Sequence, residues 1–201
     1  MDAIITYIEE LAQISPYIKL YRDFNSNVIL RNIGKITGEV DKQYVEFLLK
    51  TIGASILEYS FLGLKIHTLV ENVYDNMREL WQSDCLLTFR FWGIVGTSSG
   101  ENFGYIDEKD STGNHYIGYY SANEPEHVYL VASSFNIFMD KFLKQVEASL
   151  AIDKNAIYID NDWFLNPQKL IIDDIEMAQY LQSQETSEYN LLDRKFDKRK
   201  Y

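Results

Sequence analysis

The sequence predicts an α+β fold in which an antiparallel β-meander packs against N-terminal helices and a long C-terminal amphipathic helix. Residues 89–132 carry short extended patterns separated by turn residues, which is typical of consecutive antiparallel strands. Residues 135–150 then carry a continuous apolar stripe at helical spacing, and the preceding sheet is the nearest apolar face that could cover it. We expect a single domain over residues 1–150 and an acidic extension over residues 151–201, with a helix and a basic tail.

Helices are expected on the N-terminal side of the meander. Helical spacing predicts a first helix that ends before Pro16, with Ile4, Ile5, Ile8 and Leu11 on its apolar face. A second helix is expected to stop near Gly53, and its apolar face consists of Val40, Tyr44, Phe47 and Leu48. Strands are expected over residues 28–30 and 59–66, and a capping-box pattern at Thr68 predicts a third helix.

The meander itself is predicted from alternation and turn residues. Residues 87–92 alternate apolar and polar side chains, which indicates a half-buried strand. Turns are expected over residues 96–100 and 110–114, with an extended segment between them and further strands over 115–120 and 127–132.

The last helix of the domain has the strongest pattern in the chain. Ser133 or Ser134 is expected to cap it, and its apolar stripe consists of Phe135, Phe138, Met139, Phe142, Leu143, Val146 and Leu150. Beyond it, residues 156–159 suggest a short strand. Asn166 and Pro167 predict the start of a helix that runs through Leu181.

Composition excludes several classes of function. The 201 residues carry a formal net charge of −11, which disfavours direct binding to nucleic acid. This acidity either attracts a basic protein partner or serves solubility alone. No stretch approaches the about 20 apolar residues of a membrane helix, and the N-terminus lacks the pattern of a secretory signal. The single cysteine, Cys85, cannot form an internal disulfide. We therefore expect a cytoplasmic protein without a membrane segment.

The one motif that suggests catalysis is Gly-Thr-Ser-Ser-Gly at residues 96–100, which matches the G-x-S-x-G pattern of serine hydrolases. Asp107 or Asp110, and then His115 or His127, follow in the order of that catalytic triad. The nucleophile turn of those enzymes joins a strand to a helix, whereas the residues after Gly100 predict a strand. A hairpin loop is the better interpretation, and a hydrolase that uses Ser98 is kept as the third reading.

No cofactor or metal site is expected. Residues 108–113 resemble a calcium loop only in part, because its closing acid would fall at Tyr119. The three histidines, His67, His115 and His127, are scattered and lack the spacing of a metal site.

Aromatic and acidic residues interleave along the predicted strands. Alternate residues on each strand must be interior, and the outward half would suit a protein interface, since acidic neighbours repel phosphate. The predicted partner-binding residues are Trp92, Glu101, Phe103, Tyr105, Asp107, Glu108, Asp110, Tyr116, Tyr119, Tyr120, Glu124 and Glu126.

The order of these motifs resembles the SUKH superfamily (Smi/Knr type). Tyr44, Phe47 and Leu48 resemble the Tyr-x-x-Phe-Leu core of its early helix, and residues 96–104 resemble its glycine-rich hairpin. Residues 131–138 (VASSFNIF) resemble its last strand and the Ala-x-Ser-Phe-x-x-Phe start of its terminal helix. The resemblance covers about residues 37–146. The usual Leu-Pro before the early helix is absent, and the extension after Leu150 has no counterpart.

The resemblance implies a non-catalytic protein-binding module. Bacterial members are immunity proteins that cover and neutralise toxins, often nucleases, and fungal members are cell-wall and signalling regulators. The first expectation is an immunity protein against a cognate toxin domain with a basic surface. The alternative is a regulatory or cell-wall adaptor of the same family, and no catalytic residue is carried over.

Overall fold

A computed structural model describes residues 1–22, 40–63, 91–121, 123–124, 127–159, 162–183 and 191–193, together with Asn27 and Arg31. Within these residues eight strands form one antiparallel sheet whose strand order follows the chain. They are β1 (Ile18–Tyr21), β2 (Gly53–Ile56), β3 (Tyr59–Phe61), β4 (Phe91–Gly96), β5 (Glu101–Lys109), β6 (His115–Ser121), β7 (His127–Ala132) and β8 (Leu191–Asp193). The predicted meander is therefore confirmed. The predicted strand over residues 28–30 and the helix predicted from Thr68 lie outside the described residues.

Helices precede and follow the meander along the chain. They are α1 (Asp2–Ile14), α2 (Lys42–Leu48), α3 (Phe135–Ile152), α4 (Asp162–Leu165), α5 (Pro167–Ile171) and α6 (Ile175–Ser183). In α3 the hydroxyl of Ser134 accepts a hydrogen bond from the N–H of Ile137 at 3.4 Å, and the seven residues of the predicted stripe are all buried. The predicted long amphipathic helix and its cap are thus confirmed.

In the early helices most of the predicted apolar face is buried: Ile5, Ile8 and Leu11 in α1, and Tyr44, Phe47 and Leu48 in α2. Val40, which was predicted to share the face of α2, lies before that helix begins. Asp41 caps α2, because its Oδ1 accepts from the N–H of Tyr44 at 2.9 Å. The helix ends at Leu48, and Gly53, with φ 143°, begins β2. Strands β1 and β2 were not predicted. They are four residues each, and Gly-Ala-Ser-Ile in β2 has little of the β-branched and aromatic character that marks a strand.

Between α3 and one face of the sheet, the core contains many aromatic rings packed against one another. The Phe138 ring lies 5.2 Å from that of Phe103 on β5, and the Phe142 ring lies 5.1 Å from that of Tyr59 on β3. Phe138 and Phe142 belong to the buried apolar stripe of α3, so the stripe and the strand residues that it contacts shield each other from solvent.

The opposite face of the sheet is buried as well. Every residue of β4 is buried. The expectation of a half-buried strand over residues 87–92 is therefore wrong for its described part, Phe91 and Trp92. On this face the Tyr116 ring of β6 lies 4.5 Å from the Tyr180 ring of α6. A sheet that is covered on both faces needs apolar residues at successive positions, which removes the alternation expected of a surface strand.

The C-terminal segment adds buried residues to the same core. They are Ile159, Trp163, Phe164, Leu170, Met177 and Leu181. The predicted cap at Asn166 is confirmed, since its Oδ1 accepts from the N–H of Lys169 at 3.3 Å. Residues 156–159 form no strand, so that prediction is wrong.

The prediction of one continuous helix through Leu181 is also wrong. The chain turns at residues 172–174 between α5 and α6. The cause is Asp174, whose Oδ1 accepts from the N–H of Met177 at 3.2 Å and so begins a new helix. Its Oδ2 accepts from the N–H of Ser133 at 2.9 Å and from Lys141 Nζ at 3.0 Å, which holds the turn against the start of α3.

Candidate functional site

The aromatic residues predicted to bind a partner lie in the interior. Each is at most 9% exposed: Trp92, Phe103, Tyr105, Tyr116, Tyr119 and Tyr120. The expectation that about half of the sheet aromatics face outward is wrong for these six, because both faces of the sheet are covered. The surface that remains for a partner in this region is therefore mainly polar and acidic.

The acidic residues of the prediction fall at two opposite ends of the sheet. Glu101 pairs with Ser121 at one end of β5, and Lys109 pairs with His115 at the other end. A nine-residue strand spans roughly 26 Å, so Glu101 lies far from the second group, Asp107, Glu108 and Asp110. Glu124 lies at the same end of the sheet as Glu101, since its N–H donates to the carbonyl oxygen of Ser121, the residue paired with Glu101, at 3.1 Å. Glu126 lies outside the described residues.

At the far end of the sheet, Asp110 builds the β5–β6 turn. Asp110 Oδ1 accepts from the N–H groups of Thr112 at 2.9 Å and Asn114 at 2.8 Å. Burial alone would raise the pKa of Asp110, but hydrogen bonds from Asn114 and Thr112 hold it below its ordinary value. Ser111 Oγ also donates to Glu176 Oε1 of α6 at 2.6 Å. These contacts explain Asp110 as a structural residue of the turn.

At the near end, three carboxylates form what we call the acidic patch: Glu58, Glu101 and Glu124. Tyrosine hydroxyls from β6 and β7 hold two of them. Tyr119 donates to Glu101 Oε1 at 2.7 Å, and Tyr129 donates to Glu124 Oε2 at 2.9 Å. Burial, followed by the hydrogen bonds to these carboxylates and their charges, raises the pKa of both tyrosines. Both hydroxyls therefore stay protonated and keep donating across the physiological pH range.

Glu58 is the member of the patch that the sequence did not reveal. It lies in the tight β2–β3 turn after Leu57, whose φ of 56° is positive, and this turn was unforeseen because β2 itself was not predicted. Tyr59 follows it directly, and burial together with the charges of Glu58 and Glu101 raises the pKa of Tyr59. Burial, and then repulsion from Glu101, raises the pKa of Glu58 as well.

No lysine or arginine among the described residues forms an ion pair with the acidic patch. Carboxylates that repel one another, as Glu58 and Glu101 do, can be neutralised by lysine or arginine side chains of a partner. The patch is thus chemically suited to accept N–H donors from a cationic protein surface.

The Gly-Thr-Ser-Ser-Gly motif is a hairpin turn between β4 and β5. The N–H of Gly100 donates to Thr97 O at 3.2 Å, and Gly100 has φ +84°, a conformation that favours glycine. The turn joins two antiparallel strands, whereas a hydrolase nucleophile needs a strand-to-helix turn. The ring of His115 is buried, with Nδ1 2.6 Å from Ile106 O, so its position is that of a core residue. The side chain of His127 is not described.

The described residues meet the requirements of neither a three-ligand metal site nor a membrane-spanning helix. In the part of the chain that the structure describes, no three His, Cys, Asp or Glu residues are grouped as a metal ion would require. Within the same residues, none of the helices combines the length and the apolar character needed to span a bilayer.

Comparison with known proteins gives one family. The profile of the SMI1/KNR4 family (SUKH-1) matches residues 16–141, which is more than half of the chain. No curated protein matches the chain at a significant level.

Proposed function

Because this chain belongs to the SMI1/KNR4 family (SUKH-1), we propose that it is a non-catalytic protein-binding module that neutralises a cognate bacterial toxin. The family supports a protein-binding role in immunity or regulation, and the toxin is the more specific part of the proposal. In this role the chain covers a basic surface of the toxin domain, such as the surface with which a nuclease binds its substrate.

The acidic patch is the single observation that carries the proposal. Two of its three carboxylates are oriented by tyrosine hydroxyls at 2.7 and 2.9 Å, so little side-chain entropy remains to be lost on binding. With a net charge of −11 on the whole chain, long-range attraction would also accelerate the encounter with a basic partner.

A non-catalytic role agrees with the context of the one catalytic-looking motif. Ser98 lies in an exposed hairpin turn, and no base is placed against it by the hydrogen bonds of that turn. A Ser98→Ala variant is therefore expected to protect cells as well as the wild type does.

The test is co-expression with the toxin domain encoded by the neighbouring gene. The chain should rescue growth and form a stable complex, and Glu101→Gln and Glu124→Gln should each weaken that complex by up to about 1 kcal/mol, roughly fivefold in Kd. Glu46→Gln, an exposed residue of α2, removes the same charge elsewhere and serves as the matched control. Association should slow as salt rises, since exposed charges are screened.

The co-expression experiment has an outcome that excludes the proposed immunity function. If the chain neither protects cells from that toxin nor binds it, the immunity function is excluded. An isolated gene with no toxin beside it, together with a host partner that binds the same patch, would instead support the regulatory adaptor.

A further inference from the structure

Three apolar side chains are exposed where α3 ends, and together we call them the apolar patch. Ile152 is 90% exposed, Ile157 50% and Tyr158 66%. They line one open cavity of about 700 Å³, to which Ala156 and Ile159 also contribute. Single exposed apolar residues are ordinary on protein surfaces, but a contiguous group around one concavity usually marks an interaction site.

The loop that carries the apolar patch is held in place by its own hydrogen bonds. Asp153 ends α3, and its N–H donates to Ser149 O at 2.9 Å. Its side-chain Oδ1 accepts from the N–H of Asn155 at 2.9 Å, and its carbonyl oxygen accepts from the N–H of Ala156 at 2.9 Å. Ile159, immediately after the patch, is buried. A partner would therefore meet an apolar surface that is already formed, and ordering it would cost little entropy.

The apolar patch lies at the same end of the molecule as the acidic patch. Before the patch in the chain, the ring of Phe142 in α3 lies 5.1 Å from that of Tyr59, the residue next to Glu58. After the patch, the ring of Phe164 lies 4.4 Å from that of Tyr119, whose hydroxyl donates to Glu101. The patch lies in the segment between these two contacts.

Tyr158 of the apolar patch lies within the width of one protein interface from Phe164, which packs on Tyr119. Tyr158 is six residues from Phe164, so their Cα atoms are separated by at most about 21 Å. A standard interface covers about 800 Å² on each partner, which corresponds to a disc roughly 30 Å across. Interfaces of this size commonly have an apolar centre and a polar or charged rim.

We propose that the apolar patch is the anchor of the partner interface and that the acidic patch forms its charged rim. This inference rests on the proposed function and deepens it. The partner surface that fits carries an apolar or aromatic projection, which fills the cavity between Ile152, Ile157 and Tyr158, with lysine or arginine residues beside it.

The negative charge of the chain favours a basic partner over a second copy of this chain. Two copies that meet at this end would each bring three carboxylates without ion pairs among the described residues, and each chain has a net charge of −11. Like charges across an interface oppose association, whereas a cationic surface neutralises them. The apolar patch is therefore assigned to a basic protein and not to self-association.

The experiment uses the full chain and the toxin domain of the neighbouring gene. Ile157→Asp and Tyr158→Ala should each weaken the complex about tenfold or more, chiefly through faster dissociation, as truncation of an interface anchor does. In Tyr158→Ala, which leaves the charge unchanged, the salt dependence of the association rate should stay as in the wild type, because the acidic patch is intact. Ile172→Asp changes an isoleucine that is 73% exposed at the α5–α6 turn and serves as the control.

The outcomes separate this inference from the function on which it rests. If the wild type does not bind the toxin, the proposed function and this inference both fail. If the wild type binds and the Ile157 and Tyr158 variants bind equally well, only the inference is overturned. A change in the mass of the free chain in these variants, measured by light scattering, would assign the patch to a second copy and would also overturn it. Hydrogen exchange on the wild-type complex provides an independent measurement, in which residues 152–158 should gain protection.

Discussion

At the scale of single residues, the charge of Glu101 affects the carboxyl group of Glu58. Burial raises the pKa of Glu58 first, and the charge of Glu101 raises it further. Glu101→Gln removes the second cause, so the pKa of Glu58 should fall toward, but not reach, its ordinary value. The side-chain carboxyl carbon of Glu58, followed by NMR through a pH titration, measures this shift. An unchanged pKa in Glu101→Gln would mean that the two groups do not interact, and Glu46→Gln should have no effect.

The same shift predicts a stability effect with a defined sign. The folded-state pKa of Glu58 lies above its unfolded value, so the folded chain holds the proton more tightly, and ionisation as pH rises disfavours folding. Glu58→Gln should therefore raise the melting temperature at pH 7. The difference from the wild type should disappear below the ordinary pKa of glutamate, where both chains are uncharged at this position. Melting curves across this pH range test it, and an effect that persists at low pH would point to a packing change instead.

At Gly104, in the middle of the sheet, the backbone of a neighbouring strand lies too close to leave room for a side chain. Gly104 on β5 pairs with Gly93 and Gly118 on its two neighbours, and a Cβ built on it would overlap the carbonyl group of Trp92. Backbone cannot shift as a flexible side chain does, so Gly104→Ala should destabilise the fold by about 1–3 kcal/mol or more. Gly96→Ala is the matched control, because its nearest neighbour would be Asn102 Oδ1 at an ordinary 3.5 Å. Urea unfolding of both variants measures the difference, and equal midpoints would contradict the close approach.

At the scale of elements, one buried carboxylate joins three parts of the chain. The side chain of Asp174 has no exposed surface and binds Lys141 Nζ at 3.0 Å. Burial lowers the pKa of Lys141, although Asp174 opposes this shift. Asp174→Ala leaves Lys141 without a carboxylate partner and removes the cap of α6, and we expect a loss of about 3–5 kcal/mol. Asp173→Ala, next in the chain and exposed, should change the free energy of unfolding by less than about 0.5 kcal/mol.

A double-mutant cycle checks the physical reason for that loss. If the unpaired charge is the main cost, Lys141→Met combined with Asp174→Ala should be more stable than Asp174→Ala alone. Strictly additive losses in the double variant would mean that the two side chains act independently. Chemical denaturation at pH 7 gives all four free energies.

The elements that sequence could predict are those specified by local patterns. The apolar stripe of α3 and its serine cap need only residues that are neighbours along the chain, and both were correct. The break between α5 and α6 was missed because the local cap from Asp174 to Met177 was not recognised. The contacts that hold this turn in place join Asp174 to Ser133 and Lys141, more than 30 residues away, and no local pattern indicates them. The sheet is buried on its second face through long-range contacts as well, and this burial was not predicted. For that reason six aromatic residues that were expected to bind a partner are buried instead. Glu58 and the apolar patch belong to a turn and a loop whose positions follow from long-range packing.

At the scale of the whole molecule, the C-terminal segment is part of the hydrophobic core. The Phe103 ring of β5 lies 6.1 Å from the Trp163 ring and 5.4 Å from the Phe164 ring. A division into a domain over residues 1–150 and an extension over 151–201 was expected from sequence, and we propose that the two parts unfold as one unit. A chain truncated after residue 155 should bind a hydrophobic dye and unfold at lower urea concentration than the full chain.

A single substitution separates the loss of these rings from the loss of the whole segment. Trp163→Ala in the full chain should cost about 3–5 kcal/mol, as removal of a large buried side chain does. A truncated chain with the urea midpoint of the wild type, together with a neutral Trp163→Ala, would establish an independent domain over residues 1–150.

The strand order of the sheet also has a consequence for synthesis on the ribosome. Strands β1 to β7 pair in the order in which they emerge, and hairpins form within microseconds of emergence. Strand β8, which pairs with β7, begins at Leu191, whereas β7 ends at Ala132. At 5–20 residues per second the intervening residues take roughly 3–12 s to translate. For those seconds the edge of β7 lacks its native partner, and any nascent chain or chaperone that binds an open strand edge competes with β8 for it.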